Sequence, residues 1–426
     1  MERLPHQIRS RIAASQILWS DLSKLCSFGG RFAGTESERK ARAFLKKRLA
    51  WVTQGAINVH EVDYSGWSRE TCRLTRMTPG PLALQVHSLV RSASTPPGGI
   101  EAEVIDLGRG TLGDFEANKA EIFGRFVLVR HEYMFTTGHI HRRMKYQWAK
   151  ERGAIGFLIA SHLPGDLVVT GSSGGDEIPA AGTTQEAARA LASAGRNYPR
   201  AQLEIRTRSQ ESVAQNLIAE IPGRTDEWVV LCAHYDGHDL AQSAIDNASG
   251  VAVVLAVADA LASTVPWLRC GLRVALFTIE EWGLMGSRVY VDQMSDDERQ
   301  KILAVINVDS PVGSPRLTAL TSEFSALDSF AREVAESVGI PLTIHRSLMA
   351  NSDHYNFARH GIPALRLVAG FDDPDSQLKY LLTRGDTLDK IDRSHLQTAA
   401  LLAAAMTFAA CAADRTATRA RTQEQA

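Results

Sequence analysis

The chain has 426 residues and a formal net charge of −1, with 44% hydrophobic and 22% charged residues, which is ordinary for a globular protein. A chain so close to neutral lacks the positive charge that attracts nucleic acid or an anionic membrane surface, so we predict neither as a partner. The length is enough for two domains. No stretch approaches the roughly 20 apolar residues of a membrane-spanning helix, so we expect no membrane span.

The cysteines and the two ends of the chain favour a cytoplasmic protein. The cysteines are odd in number, scattered and without a C-x-x-C pair, which is typical of reduced thiols. They are Cys26, Cys72, Cys232, Cys270 and Cys411. The first residues, MERLPHQIRSRIAASQ, lack the apolar core of a signal peptide. Residues 413–426 are polar and small, which predicts a flexible tail.

The first part of the chain is predicted to form two helices, followed by a strand. Residues from about 12 to 50 have apolar side chains at helical spacing in the first helix and capping residues, Thr35 to Glu38, before the second. The turn between them is FGGRFAGTESE. The alternating segment INVHEVDYS then predicts a strand. We assign residues 1–70 to the main domain.

The middle of the chain has a different sequence pattern. Short β-type runs such as residues 103–107, 126–129 and 156–159 are separated by glycine-rich turns. This pattern predicts that residues 71–210 form a smaller, β-rich domain inserted into the main one. The main domain is therefore discontinuous and resumes over residues 211–412.

From about residue 212 onward, strands alternate with helices. The nearly continuous apolar run in WVVLCAHYD is typical of a strand buried on both faces of a parallel sheet, and GVAVVLAVADALAST is typical of a buried helix. Repetition of this unit predicts an α/β fold, a doubly wound and mostly parallel sheet with helices on both faces. Such folds bind their ligands beyond the carboxyl ends of the strands.

Candidate metal ligands lie at those strand ends. His234 ends one predicted strand, Asp309 follows another, and Asp246 lies in the loop AIDNASG. Imidazole and carboxylate groups brought together from several loops are the ligands that zinc binds at about 2.0–2.2 Å. The sequence therefore predicts a site for a divalent ion, for which Zn²⁺ or Mn²⁺ is suitable.

Three more acidic residues suit supporting roles at that site. Asp236, two residues after His234, could accept a hydrogen bond from the imidazole and fix its tautomer. Of the adjacent pair Glu280 and Glu281, one carboxylate could bind metal while the other takes a proton from water that the metal activates. We predict Glu280 and Asp236 as the catalytic residues and Glu281 as a metal ligand.

These motifs resemble those of the co-catalytic zinc metallopeptidases, which include bacterial leucyl aminopeptidases and glutamate carboxypeptidase. The resemblance covers residues 12–66 and 212–410, through HYD, DNASG, EEWGLMGS, NVDS, SDHYNF with GIPAL, and DTLDKID. The inserted segment resembles that family's protease-associated domain through VIDLGRGTLGDF, GRFVLVRH, AKERGAIGFLIAS and IPAAGTTQEAARAL. The resemblance implies a hydrolase that cleaves C–N bonds.

By the same resemblance, His234 and Asp309 would bind one metal ion, Asp246 would bridge to a second ion, Glu281 would bind that second ion, and Glu280 would be the general base. The chain departs from the family at the last ligand. The family has a histidine immediately before the threonine that corresponds to Thr383, and this chain has Leu382, which cannot bind metal.

The departure leaves three interpretations open. The protein could use one divalent ion, Zn²⁺ or Mn²⁺, held by His234, Asp246 and Asp309 with Glu281. It could hold two ions by recruiting another residue, for which His354 is the nearest candidate by motif. It could also be a non-catalytic binding protein of the same fold. We favour the single-ion interpretation, because Leu382 leaves only Asp246 and Glu281 for a second ion. We disfavour the non-catalytic one, because the base and the remaining ligands are intact.

The class of substrate that we predict depends on which of these interpretations holds. A single-ion site favours a small amide or amine, with an ordinary aminopeptidase as the alternative and an aminohydrolase of a nitroanthranilate as another. Arg384 and Arg366 could clamp a substrate carboxylate, and Tyr133 and His139 could face the substrate from the inserted domain. His354 is a further candidate for contact with the substrate. We thus expect a small-molecule or short-peptide substrate, and the sequence leaves a homo-oligomer open. The Gly-x-Ser-x-Gly pattern around Ser173 is predicted to be a loop, because no helix follows it.

Overall fold

The computed structural model describes residues 4–192 and 197–413. All but the first residue of the predicted tail therefore lies outside the described residues. The strands, in chain order, are β1 (Ile57–Arg76), β2 (Leu82–Leu84), β3 (Val86–Ser88), β4 (Ile100–Asp106), β5 (Phe126–Arg130), β6 (Gly156–Ala160), β7 (Ala180–Thr183), β8 (Arg200–Ile221), β9 (Trp228–His234), β10 (Gly271–Phe277), β11 (Ile302–Val308), β12 (Leu317–Leu320), β13 (Leu342–His345) and β14 (Ala364–Ala369).

The α-helices are α1 (His6–Ala13), α2 (Gln16–Ser27), α3 (Glu36–Thr53), α4 (Leu112–Ala117), α5 (Lys119–Ile122), α6 (Arg142–Glu151), α7 (Gln185–Leu191), α8 (Ser249–Leu261), α9 (Met285–Asp292), α10 (Asp296–Lys301), α11 (Ser325–Val338), α12 (His354–Ala358) and α13 (Arg393–Ala412). A π-helical turn at Ala244–Ala248 leads into α8. The side chain of Thr35 caps α3 by accepting from the Glu38 amide, as its sequence predicts.

The chain divides into two compact units. Unit 1 comprises the chain up to Tyr64, Val213–Leu381 and the chain from Asp386 onward, and unit 2 comprises Ser65–Ser212 with Leu382–Gly385. The short second piece of unit 2 was not foreseen from the sequence. It joins unit 2 through backbone pairing, because Thr170 N donates to Leu382 O at 2.8 Å and Val169 forms a β-bridge with Thr383.

The sheet of unit 1 confirms the predicted doubly wound α/β fold. Its strand order is β13-β12-β14-β11-β9-β10-β8. The central strands β14, β11, β9 and β10 are parallel, while β8 and β12 run antiparallel to their neighbours β10 and β14. Every residue of β11 is buried, as is expected for a strand with helices on both of its faces.

Helices cover both faces of this sheet. On one face, α8 and α13 pack together and against β9 and β11. On the other face, Val291 of α9 and Phe357 of α12 pack against Val230 and Cys232 of β9. Because successive side chains of a strand point to opposite faces, the apolar run of β9 supplies both layers of the core. This rigid centre holds the carboxyl ends of the parallel strands in place.

Two helical segments have the length and apolar composition of a membrane span, which corrects the expectation from the sequence. Ala244–Leu261 has a mean hydropathy of 1.6 and Arg393–Ala412 a mean hydropathy of 1.4. Within the described fold, 89% of the first and 72% of the second are buried. Core helices of globular proteins have the same character, so these segments are explained by packing in unit 1.

Unit 2 has a sheet of its own with strand order β8-β4-β5-β6-β7-β3. Strands β4 to β7 are parallel, and β8 and β3 run antiparallel at the two ends. Phe126, Leu128 and Leu158 are fully buried in its core. Ser173 lies in a loop of this unit, where its Oγ donates to Val90 O at 3.0 Å, and no helix follows it. The geometry of a serine nucleophile is therefore absent at this position.

The buried His131 and its neighbour His162 are expected to make the stability of unit 2 dependent on pH. His131 stacks on His162 with ring centroids 5.4 Å apart, and its pKa is lowered well below 6.5 by burial, with His162, Arg142 and Lys145 adding to the effect. The unfolded chain takes up this proton near pH 6.5, while the folded unit does not. Its contribution to stability is thus fully present above pH 6.5 and is lost as the pH falls.

We expect His131→Phe, which keeps a stacked ring but cannot bind a proton, to reduce this loss. Between pH 7.5 and pH 5.5 the variant should lose about 1.4 kcal/mol less free energy of unfolding than the wild type. Hydrogen exchange of the β5 amides in the full-length protein would measure the difference. Equal losses in the two proteins would contradict the prediction.

Candidate metal centre

The parallel strands of unit 1 deliver the predicted ligands to one edge of the sheet. His234 is the last residue of β9, and it pairs in register with Phe277, the last residue of β10. Asn307 of β11 pairs with Cys232, which brings Asp309 to the level of His234. The sequence signal was reliable here because the carboxyl ends of parallel strands meet at the same edge.

Three of the predicted ligands form a compact group. His234 Nε2 lies 3.1 Å from Asp246 Oδ1 and 3.7 Å from Asp309 Oδ1. Among the described residues, each of these three has one atom that could bind a metal ion, and these three atoms all lie within 4.8 Å of one another. Two ligands that bind zinc at about 2.0–2.2 Å in a tetrahedron lie about 3.4 Å apart. The group therefore has the spacing and the chemistry that one divalent ion requires.

The electrostatics of the group also fit a cation. Burial lowers the pKa of His234, but the carboxylates of Glu280, Asp236, Asp246 and Asp309 outweigh it and raise that pKa well above 6.5. An imidazole must be neutral to bind metal, so the surrounding negative charge that here favours a proton would equally favour a divalent ion.

Burial acts on the neighbouring carboxyl groups as well. It raises the pKa of Glu280 well above 4.5 and the pKa of Asp353 to about 7, in both cases against the opposing effect of His234. Burial also acts to raise the pKa of Asp309, but Arg366 and His234 outweigh it and lower that pKa. Asp309 is thus held ionised, as a metal ligand must be.

Asp236 connects the first ligand with the glutamate pair. Its Oδ1 accepts a hydrogen bond from Glu280 N at 3.2 Å, and its Oδ2 accepts one from Glu281 N at 3.3 Å. Its Oδ1 also lies 3.6 Å from His234 Nδ1, slightly beyond hydrogen-bond distance. The side chain is fully buried. Asp236 therefore sets the position of both glutamates, in addition to facing the imidazole as predicted.

The loop that carries Asp246 is fixed by a carboxylate from the far end of the chain. Asp386 Oδ1 accepts from Ile245 N at 2.7 Å, and Asp386 Oδ2 accepts from Asp246 N at 3.2 Å. Asn247 ties the same loop to β11, because its Nδ2 donates to Val308 O at 3.0 Å. Asp386 is the first residue of the motif DTLDKID, but the sequence alone does not show which backbone amides its carboxylate binds.

A buried arginine braces the loop between Tyr235 and Ser243. Arg31 is fully buried, and its guanidinium donates to Tyr235 O at 2.9 Å, Gln242 O at 2.6 Å and Ser243 O at 2.8 Å. The segment FGGRFAGTESE was predicted only as a turn, which gives no role to Arg31. Its role depends on partners about 200 positions away, which no local pattern indicates.

A second histidine approaches the glutamate pair. His238 Nε2 lies 2.6 Å from Glu281 Oε2, and both side chains are buried. His238 was not singled out from the sequence. The available signal was its place four residues after His234, in the same segment HYDGHD.

Two predicted substrate residues, Arg366 and His354, are buried in the structure. Arg366 is 2% exposed, and it contacts Asp309 Oδ2 at 3.1 Å and donates to Asn351 O at 2.7 Å. Its guanidinium therefore holds a predicted metal ligand, which argues against its role as a substrate clamp. His354 is fully buried, and burial, with Arg366, lowers its pKa to about 3. Its nitrogens do not belong to the group formed by His234 and its partners.

The remaining predicted residues lie in unit 2. Arg384 is exposed. Tyr133 is buried with its ring 5.9 Å from that of Phe135, and His139 Nδ1 lies 3.1 Å from Thr136 O. Their contact with substrate stays a prediction.

Comparison with known protein families identifies two regions. Residues 216–407 match the model of peptidase family M28, and residues 89–191 match that of the PA domain. These regions contain the metal centre and most of unit 2, respectively.

Curated relatives and solved structures agree with this division. The chain is 25% identical to aminopeptidase YwaD of Bacillus subtilis over 92% of this chain and 84% of that protein. It is 33% identical to leucine aminopeptidase 2 of Trichophyton equinum, over 40% of this chain and only 34% of that protein.

Among solved structures, the zinc aminopeptidase BSAP of Bacillus subtilis has a TM-score of 0.75 at 23% identity, covering 94% of this chain and 97% of that one. A peptidase M28 precursor of Shewanella amazonensis has a TM-score of 0.79 at 24% identity, covering 96% of each chain. These likenesses confirm the fold.

Proposed function

We propose, from the premise that this chain belongs to peptidase family M28 and carries an inserted PA domain, that it is a metal-dependent aminopeptidase. It is a metallohydrolase that acts on C–N bonds. The observation that carries the proposal is the buried group of His234, Asp246 and Asp309 with Glu280 beside it. The aminopeptidase YwaD is similar to this chain over most of the length of both proteins.

The residues divide the chemical work. A divalent ion, zinc by the relatives' example, would polarise a water molecule and the substrate carbonyl. Glu280 is buried beside His234, and burial raises its pKa, so it is suited to accept a proton from that water and to pass it to the leaving nitrogen. Asp236 Oδ1 accepts a hydrogen bond from the backbone amide of Glu280, and this contact fixes the base relative to the ligands.

A small amide or an aromatic amine such as a nitroanthranilate is the second candidate substrate. It was favoured by two features of the sequence, Leu382 in place of a ligand and Arg384 and Arg366 as candidates to clamp a substrate carboxylate. Arg366 gives this candidate less support than its sequence position indicated, because it contacts Asp309 and donates to Asn351 O, whereas Arg384 is exposed and remains a candidate. The similarity to an aminopeptidase over most of both chains supports a peptide with a free amino terminus as the first candidate.

A panel of substrates tests the proposal. We expect release of p-nitroaniline from leucyl-p-nitroanilide, at least tenfold slower release from its N-acetylated form, and no release of ammonia from nitroanthranilate. A chelator should abolish the activity and added Zn²⁺ or Mn²⁺ should restore it. Ammonia release with no anilide hydrolysis would favour the second candidate, and activity that resists the chelator would contradict a metal-dependent mechanism.

We also propose a cytoplasmic location. All five cysteines are free of disulfide bonds, and Cys26, Cys232, Cys270 and Cys411 are buried. Reduced and buried thiols are typical of that compartment. Fractionation of the native cells would test this.

A further inference from the structure

We infer that His238, with Glu281, supplies the protein ligands of a second metal position, and so replaces the histidine that the family has where this chain has Leu382. The inference rests on the proposed function, since it concerns the same centre. It gives a structural basis to the interpretation in which the chain recruits another residue, and it names a residue other than His354.

The contact between the two side chains is the first argument. His238 Nε2 and Glu281 Oε2 lie 2.6 Å apart, and the side chains are 5% and 7% exposed. A nitrogen and a carboxylate oxygen come this close when a proton lies between them, and a metal ion would take the place of that proton. Ligands of one zinc ion lie about 3.4 Å apart, so a shift of less than about 1 Å converts this pair into a ligand pair.

The backbone around His238 is the second argument, because it is held from both sides. His238 N donates to Ser243 Oγ at 3.0 Å, and Arg31 binds the carbonyl groups of Gln242 and Ser243. On the other side, a Cβ atom added at Gly30 would lie 1.8 Å from His238 O, so only glycine fits there. Such support is what keeps a metal-binding side chain in place.

Glu281 is positioned independently of His238. Its backbone amide donates to Asp236 Oδ2 at 3.3 Å, the same carboxylate whose other oxygen holds Glu280. His238 and Glu281 therefore belong to separate loops, one after β9 and one after β10, and both loops lie at the metal centre. Convergence of separate loops on one point is the usual construction of a metal site.

Metal content tests the inference without relying on activity. Protein freed of metal by chelation would be titrated with Co²⁺ and followed by visible absorption, and the bound ions would be counted by elemental analysis after desalting. We expect two ions per chain in the wild type and one in His238→Ala and in His238→Gln. Glutamine can keep a hydrogen bond to Glu281, so it separates a structural pair from a ligand pair.

His354→Ala is the matched control, since it removes a second buried histidine from the same region. It should keep two ions, and circular dichroism would verify that each variant is folded. One ion in the wild type, two ions in both His238 variants, or loss of the second ion only in His354→Ala would overturn the inference. The proposed function would survive each of these results if the wild type still hydrolyses leucyl-p-nitroanilide in a chelator-sensitive way.

Discussion

Replacement of Glu280 by glutamine is expected to lower kcat by about 10²- to 10⁴-fold while the metal content stays at the wild-type value. The side chain is 8% exposed, and burial raises its pKa, so the carboxylate is a better proton acceptor than an exposed glutamate. Glutamine has nearly the same shape and can occupy the same space, but it cannot accept the proton. The loss should therefore fall on kcat, with little change in KM.

Glu281→Gln is the matched control, because it makes the same chemical change at the next residue. Since Glu281 contacts His238 and is predicted to bind metal, this variant should lose metal affinity, and added Zn²⁺ should restore part of its activity. Steady-state kinetics and elemental analysis of both variants would separate the two roles. Full activity in Glu280→Gln, or the same loss of metal in both variants, would count against Glu280 as the base. No activity in the wild type on any substrate of the panel would favour the non-catalytic interpretation.

The sequence predicted the parts of the structure that depend on local pattern. The apolar runs of β9 and β11 indicate strands buried on both faces, and their carboxyl ends place His234 and Asp309 at one edge. Asp246 was assigned from its motif, and the structure brings it within 3.1 Å of His234. Chain order and residue type were sufficient for these assignments, because the parallel sheet itself brings the strand ends together.

The residues that were missed or misassigned depend on contacts between distant segments. Arg366 seemed available to a substrate, but its partner Asp309 lies just after the neighbouring strand β11, and only the register of β11 and β14 shows this. His238 lies in a loop whose direction is set by Gly30 and Arg31, which are about 200 positions earlier in the chain. Neither the identity of a residue nor its spacing indicates how such a loop turns.

Replacement of Arg31 by methionine is the second change for which we expect a large effect, about 3–5 kcal/mol lower free energy of unfolding. The guanidinium is fully buried and binds the carbonyl oxygens of Tyr235, Gln242 and Ser243. Methionine fills much of the volume but donates no hydrogen bond, so Tyr235 O and Gln242 O lose this donor, while Ser243 O still accepts from Ala248 N at 3.1 Å. Each buried carbonyl left without a partner costs about 1–3 kcal/mol. The backbone of Arg31 has a φ of 32°, and methionine would share that strain, so the comparison isolates the guanidinium.

Urea denaturation of the wild type and Arg31→Met would measure the difference, with Arg9→Met as the control. Arg9 also donates to a distant backbone carbonyl, Val338 O at 2.9 Å, but it does so at the surface, so its loss should change stability by less than about 0.5 kcal/mol. Equal effects of the two substitutions would show that burial of Arg31 does not have the predicted importance.

The same denaturation series, repeated with and without Zn²⁺, connects this brace to the metal centre. A ligand that binds only the folded protein adds stability according to its affinity. Because Arg31 holds the loop that carries Asp236 and His238, its loss should weaken metal binding as well as folding. The difference between wild type and Arg31→Met should therefore be larger with Zn²⁺ in excess than in the metal-free protein. An equal difference in both conditions would mean that the loop keeps its ligand geometry without the guanidinium, and that Arg31 serves the fold alone.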